Sequence, residues 1–178
     1  AWRPLPHQIP PEGDWTYWAM LAGRGAGKTL AGAHYLDDYA RDNPGSWLAI
    51  IAPTFRDARH DCVEGPTGLL SFAKDIQFSR SWGELTWPNG SKGTLFGAYQ
   101  PDDVNRLRGP QHHVVWCEEL ASWRQLEGAW DMMEFGLRLG PHPRCIITTT
   151  PKPRKKLREI LALPRTVTSR ATTTDNPH

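Results

Sequence analysis

Apolar residues occur along the chain in short runs separated by longer amphipathic stretches. The runs are rich in β-branched and aromatic residues and predict strands at residues 16–22, 47–52, 113–117, 145–150 and 166–170. Most positions within a run are apolar, rather than every second one. Such runs are typical of a parallel sheet that is buried on both faces.

Three stretches between the runs have helical patterns. Residues 29–41 carry small side chains on one face, and residues 153–161 are a further helix candidate. Residues 122–139 give the clearest pattern, with large apolar side chains recurring every three or four positions. A Pro88-Asn89-Gly90 turn between two strand-like stretches, 84–87 and 92–99, predicts a β-hairpin. The expected fold class is therefore α/β, with a mainly parallel central sheet flanked by helices and a β-hairpin.

The segment after the first strand matches the phosphate-binding pattern GxxxxGK[ST], except that Ala22 stands at the first glycine position. Glycines there let backbone N–H groups converge on phosphate oxygens at the start of a helix. Lys28 is expected to reach the β and γ phosphates, and the hydroxyl of Thr29 to bind Mg²⁺. The candidate ATP-binding residues are Arg24, Gly25, Ala26, Gly27, Lys28 and Thr29. Arg24 touches the γ-phosphate, braces the loop or is solvated, and the pattern leaves these alternatives open.

An apolar strand at residues 114–117 leads into two carboxylates, Glu118 and Glu119. Two acids at such a point divide the work: the first orients a Mg²⁺-bound water, and the second aligns or deprotonates the attacking water. Glu119 is the candidate catalytic base. Glu118, one methylene longer than the usual aspartate, is the candidate metal residue together with Thr29. The alternative is a helix N-terminus that is merely enriched in acids.

Two arginines precede that strand, and Arg108 is the candidate arginine finger. A planar guanidinium stabilises the charge that develops on the equatorial oxygens during phosphoryl transfer. In the alternative interpretation, Arg106 and Arg108 simply pair with Asp102 and Asp103 on the surface.

Three further polar residues are candidates for nucleotide contacts. Thr148 and Thr149 lie at the end of a predicted strand, where open α/β sheets bind ligands, and they are expected to sense the γ-phosphate. The alternative is that threonine is simply common in strands. Gln8, in the proline-rich lead, is a candidate for contact with the adenine edge, although a surface glutamine would look identical.

Charge and composition limit the classes of partner only loosely. The formal charge is +2, which is too small to indicate a nucleic-acid partner. Five cations between residues 151 and 158 indicate either DNA contact or, more commonly, a solvated helix face. No apolar run is long enough to span a membrane, and Cys62, Cys117 and Cys145 lack paired spacing. These features favour a soluble protein in a reducing cytoplasm.

The order of these motifs resembles the large terminase subunit of tailed bacteriophages. The resemblance covers about residues 5–175 and rests on the arginine-containing phosphate loop, the hairpin, the Leu-Arg-Gly-Pro segment at 107–110, the acidic strand and the threonines at 148–150. It implies a P-loop NTPase of the RecA-like (ASCE) type that uses ATP and Mg²⁺ to drive viral double-stranded DNA into a procapsid. It also implies that Gln8 contacts adenine, that Arg108 acts on a ring neighbour, and that residues 148–150 form the coupling motif.

The resemblance further implies partners and a domain organisation. The implied partners are double-stranded DNA, the portal protein, the small terminase subunit and further copies of the chain in a ring, in the host-cell cytoplasm and without a membrane. The expected organisation is a single ATPase domain over residues 1–178, with a proline-rich lead (1–15), a core (16–171) and a linker (172–178) toward a nuclease domain that this sequence does not contain.

Other classes share the phosphate loop. A small-molecule or nucleoside kinase would need an acceptor pocket and an arginine-rich lid, for which the sequence gives only a weak signal. A ring helicase-type ATPase and a module that binds ATP without hydrolysing it are the remaining alternatives.

Overall fold

The computed structural model describes residues 2–24 and 27–171. Its centre is one eight-stranded sheet, which confirms the predicted fold class. The strands are β1 (Tyr17–Ala22), β2 (Trp47–Ala52), β3 (Gln77–Ser79), β4 (Glu84–Thr86), β5 (Lys92–Gly97), β6 (Val114–Glu118), β7 (Arg144–Thr149) and β8 (Thr166–Ala171). The predicted linker, 172–178, lies outside the described residues.

The sheet has the strand order β3-β4-β5-β2-β6-β7-β1-β8. Neighbouring strands are parallel throughout the part of the sheet ordered β5-β2-β6-β7-β1-β8. Strand β4 pairs antiparallel with both β3 and β5. The β4–β5 ribbon is the predicted hairpin, and β3 extends it by a short edge strand that the sequence pattern did not reveal. Because six strands run in the same direction, their carboxyl ends meet at one edge of the sheet.

Helices cover both faces. They are α1 (Lys28–Asp42), α2 (Phe55–Asp57), which continues into a π-helical segment (Ala58–Glu64), α3 (Pro101–Arg106), α4 (Leu126–Gly136) and α5 (Lys155–Leu161). Helix α4 begins four residues later than predicted, because a 3₁₀ turn (Leu120–Ser122) follows β6 first. None of the helices in the described part of the chain is long and apolar enough to cross a bilayer.

Alternate side chains of each buried strand belong to two separate cores. Trp18 and Met20 of β1 pack on the face that α1 and the π-helical segment cover. Tyr17 and Ala19 pack on the other face, against α4 and α5. Both faces are therefore buried, as the unbroken apolar runs predicted. Trp47, the first residue of the run 47–52 that predicted a buried strand, is instead 50% exposed, because it lies at the rim of the sheet.

Candidate functional site

The carboxyl ends of β1, β6 and β7 bring most of the predicted site residues to one edge of the sheet. The phosphate loop runs from the end of β1 to the start of α1 at Lys28, in the strand–loop–helix order that the motif requires. Gly25 and Ala26 lie outside the described residues. Arg24 is exposed on the loop.

Gln8 is buried against the phosphate loop. Its side-chain oxygen accepts the N–H of Leu5 at 2.7 Å, and its amide nitrogen donates to the carbonyl of Gly27 at 2.9 Å. Gly27 has a left-handed φ of 81°, and a Cβ at this position would collide with the Gln8 amide. In this structure Gln8 therefore braces the phosphate loop, and its contact with adenine remains a prediction.

Lys28 and Glu119 form an ion pair at the centre of this edge. The distance between Lys28 Nζ and Glu119 Oε1 is 2.9 Å, and the Lys28 side chain is buried. The backbone N–H and the hydroxyl of Thr150 also donate to the Glu119 carboxylate, at 3.3 and 3.1 Å. One cation and two donors thus hold the carboxylate in a single orientation.

The backbone of Glu119 is itself unusual, with φ 47° and ψ 51°. A left-handed residue other than glycine is strained and persists only where its surroundings hold it. Its N–H donates to the carbonyl of Thr148 at 2.6 Å, and its carbonyl accepts the N–H of Ser122 at 2.9 Å. The left-handed conformation of Glu119 turns the chain sharply after β6. The side chains of Glu118 and Glu119 therefore lie in different surroundings.

Glu118 is 1% exposed and belongs to a buried polar cluster. Its register partner on β7, Thr148, donates a hydroxyl hydrogen bond to Oε1 at 3.0 Å, and the hydroxyl of Thr29 is bonded to the same carboxyl group. Burial raises the pKa of Glu118 to about 7, and the hydrogen bond with Thr29 is the largest opposing effect. The indole N–H of Trp116 donates to the Thr148 hydroxyl at 2.8 Å, which fixes that hydroxyl for Glu118.

The threonines at the end of β7 are all tied to the acidic segment. In addition to the bonds of Thr148 and Thr150, the hydroxyl of Thr149 accepts the N–H of Ala121 at 3.1 Å. Each hydroxyl thus contacts a different residue between positions 118 and 121. The sequence predicted these threonines near the phosphates. In the structure Thr148 and Thr150 contact the two candidate acids, and Thr149 contacts the turn that follows them.

Comparison with known protein families decides which group of P-loop proteins this is. The family described as "Terminase large subunit, T4likevirus-type, N-terminal" matches residues 19–176. This chain belongs to that terminase family. Membership disfavours the kinase and helicase alternatives. Comparison with curated proteins found no match.

Solved terminase structures have the same fold. The large terminase of a thermophilic bacteriophage aligns with a TM-score of 0.73 and 14% identity, over 92% of this chain and 41% of that one. The ATPase domain of the Thermus phage P74-26 large terminase aligns with a TM-score of 0.65 and 18% identity, over 89% of this chain and 76% of that domain. The present chain therefore spans about 41% of the first of these two terminases.

Among the predicted site residues that the structure describes, Arg108 lies apart from Lys28, Glu118 and Glu119. It follows α3 and precedes β6, so it lies toward the edge where the parallel strands begin. There it is exposed and lines a cleft of about 260 Å³ with Met132, Phe135 and Arg138 of the α4 region. Asp103, the surface partner considered for it, instead accepts the N–H groups of Tyr99 and Gln100.

The π-helical segment supplies two neighbours of the acids that sequence reasoning did not single out. The thiol of Cys62 lies 3.7 Å from Glu118 Oε2 and is fully buried. Burial, followed by the charge of Asp57, raises the pKa of Asp61, and Glu119 is close enough to raise it further. The sequence did contain one signal for this proximity. The segment follows the predicted strand β2, and every parallel strand of the sheet ends at this same edge.

Proposed function

We propose that this terminase domain binds ATP with Mg²⁺ and hydrolyses it to ADP and phosphate, and that hydrolysis drives viral double-stranded DNA into a procapsid. The observation that carries the proposal is the 2.9 Å contact between Lys28 Nζ and Glu119 Oε1 beside the phosphate loop. In this proposal the terminal phosphate of a triphosphate on the loop lies beside both groups, as phosphoryl transfer requires.

The chemistry of the two groups is complementary. Lys28 exchanges Glu119 for the β and γ phosphate oxygens and offsets their charge. Glu119 Oε1, released by Lys28 but still bonded to Thr150, then accepts the proton of a water that attacks the γ-phosphorus. The bond between the γ-phosphorus and the oxygen bridging to the β-phosphate breaks, and the electron pair leaves with ADP.

The residues around Glu118 fit a magnesium ion. A carboxylate and the Thr29 hydroxyl, already bonded to each other, are the hard oxygen ligands that Mg²⁺ prefers. Burial favours the neutral form of Glu118, and a divalent cation favours the ionised form, so ion binding would remove the cost of charging this site. When bound, Mg²⁺ supplies positive charge against the β and γ phosphate oxygens.

Support for the motor role comes from the family and its solved members. The large terminase of the same thermophilic bacteriophage has been solved in complex with ADP and with ATP-gamma-S, at TM-scores of 0.71 and 0.65 to this chain. The proposed partners are double-stranded DNA, the portal protein, the small terminase subunit and further copies of this chain in a ring. Family membership supports a role in DNA packaging with other phage proteins. The proposed location is the host-cell cytoplasm.

The test is release of phosphate from ATP and Mg²⁺ with no acceptor added. Glu119→Gln is expected to lower kcat by roughly 10²- to 10⁴-fold, because the general base is lost, while a fluorescent ATP analogue still binds. Glu127→Gln, which changes an exposed acid on α4, is the matched control and should retain turnover. Equal turnover in the two variants, or no binding of the analogue by the unmodified chain, would contradict the proposal.

A further inference from the structure

Two cations of the basic run at residues 151–158 bond to the segment that follows Glu119. Lys152 Nζ donates to the hydroxyl of Ser122 at 2.7 Å, and Arg154 Nη1 donates to the carbonyls of Ala121 and Trp123 at 2.9 and 3.1 Å. Lys155 and Arg158, by contrast, are exposed. The run is therefore neither a uniform solvated face nor a uniform basic strip.

The carbonyls that Arg154 contacts lie in the turn after Glu119 and at the residue that directly follows this turn. That turn is a three-residue 3₁₀ segment (Leu120–Ser122), too short to be stable by itself. One side of it is held by the Thr149 hydroxyl, which accepts the N–H of Ala121. Arg154 holds the other side through two carbonyl groups, so the segment that leaves β7 grips the turn on both sides.

We propose that Arg154 is a positioning residue for Glu119. A left-handed Glu119 is strained, and the direction of its carboxylate depends on the turn that follows. Hydrogen bonds from a charged donor are among the stronger ones, and a guanidinium reaches two carbonyls with one planar group. Loss of Arg154 frees the turn and lets the carboxylate of Glu119 move away from the terminal phosphate.

The inference rests on the proposed ATP hydrolysis, and it makes a specific kinetic prediction. The contacts of Arg154 involve neither the phosphate loop nor Lys28, so binding of ATP should be little affected. Misplacement of a catalytic group by about 1 Å costs up to roughly 10²-fold in rate. A fall in kcat with an almost unchanged KM is therefore the expected signature.

The experiment compares Arg154→Ala with Arg158→Ala in ATP hydrolysis without DNA. Arg154→Ala is expected to lower kcat by roughly 10- to 100-fold with KM within about twofold. Arg158→Ala removes the same charge one helical turn later, from an exposed position, and should hydrolyse ATP like the unmodified chain. Arg154→Lys keeps the charge on a side chain of different length and head group, and is expected to lie between the two.

Amide hydrogen exchange gives a second measurement that needs no turnover. The amides of Glu119, Ala121, Ser122 and Trp123 are hydrogen-bonded in the structure. They should exchange faster in Arg154→Ala than in Arg158→Ala, because only the first change releases the turn. Unchanged exchange overturns the inference even if the unmodified chain proves inactive toward ATP, and inactivity by itself overturns only the proposed function.

Direct contact of Arg154 with DNA is the competing outcome. In that case Arg154→Ala would retain its basal kcat and lose DNA affinity together with part of the salt dependence of DNA binding. Basal turnover equal to that of Arg158→Ala would therefore overturn the positioning role.

Discussion

The two edges of the parallel sheet differ in what they bury. Where the strands end, polar side chains such as Lys28, Glu118 and Thr148 are buried and bonded to one another. Where the strands begin, large apolar side chains reach solvent: Trp47 is 50% exposed and Phe135 is 74% exposed. The first arrangement is prepared for a charged ligand, whereas the second exposes aromatic rings to solvent.

Strand β6 connects these edges and has a buried titratable residue near each end. His112 precedes the strand, and burial lowers its pKa to about 4. Glu118 ends the strand, and burial raises its pKa to about 7. Without ligands, burial thus favours the neutral form at both ends. Beside Glu118 lie Lys28 and the hydroxyls of Thr29 and Thr148, which suit a bound ion and phosphates.

The largest expected effect tests whether the two edges act together in neighbouring copies. Arg108→Ala should lower kcat by roughly 10³-fold, because a finger arginine stabilises the charge of the transition state. Within one chain Arg108 lies toward the opposite edge from Lys28, so its target would be the site of a neighbour. Mixing Arg108→Ala with inactive Glu119→Gln at rising concentration should restore turnover, since each chain supplies what the other lacks.

Arg138→Ala provides the control, because Arg138 lines the same cleft. It should retain most of the turnover. Unchanged turnover in Arg108→Ala would remove this residue from catalysis, and a loss that mixing does not rescue would contradict action on a neighbour.

The next effect concerns stability and pH in the metal-free, nucleotide-free chain. Folded Glu118 keeps its proton up to a pKa of about 7, against an ordinary 4.5, so the free energy of unfolding falls as pH rises across that window. Folded His112, with a pKa of about 4 against an ordinary 6.5, makes the free energy of unfolding fall as pH drops through its window. Across its whole pH window, each group changes the free energy of unfolding by about 3 kcal/mol.

Between pH 4.5 and 6.5 the two effects oppose each other. Urea unfolding of the unmodified chain should therefore depend only weakly on pH in this range. Glu118→Gln should become more stable as pH rises, and His112→Gln should become less stable. Parallel pH profiles for the two variants would contradict the assignment of these opposing groups.

Local patterns predicted most of the edge where the strands end. The glycine-rich loop before Lys28 and the apolar run before Glu118 are contiguous in sequence, and parallel strands necessarily bring their carboxyl ends together. The structure accordingly brings Thr148 against Glu118 in register.

Contacts between distant segments account for what the sequence did not predict. Nothing in a run of five cations distinguishes Arg154, which turns inward to the carbonyls of Ala121 and Trp123, from the exposed Arg158. The π-helical segment at Ala58–Glu64 has no periodicity that sequence reasoning recognised, so the proximity of Cys62 to Glu118 was missed. The helix predicted from residue 122 begins at Leu126, because helical propensity could not anticipate the turn that Arg154 holds.

The smallest expected effect concerns the apolar surface where the strands begin. Phe135→Ala should change the free energy of unfolding by no more than about 0.5 kcal/mol, because the ring is 74% exposed and contributes little to the core. Met133→Ala, two residues earlier in α4 and 2% exposed, is the matched comparison and should cost about 2–5 kcal/mol. Urea unfolding measures both. If Phe135→Ala were as costly as Met133→Ala, this surface would belong to the fold itself, and the contrast between the two edges would lose its basis.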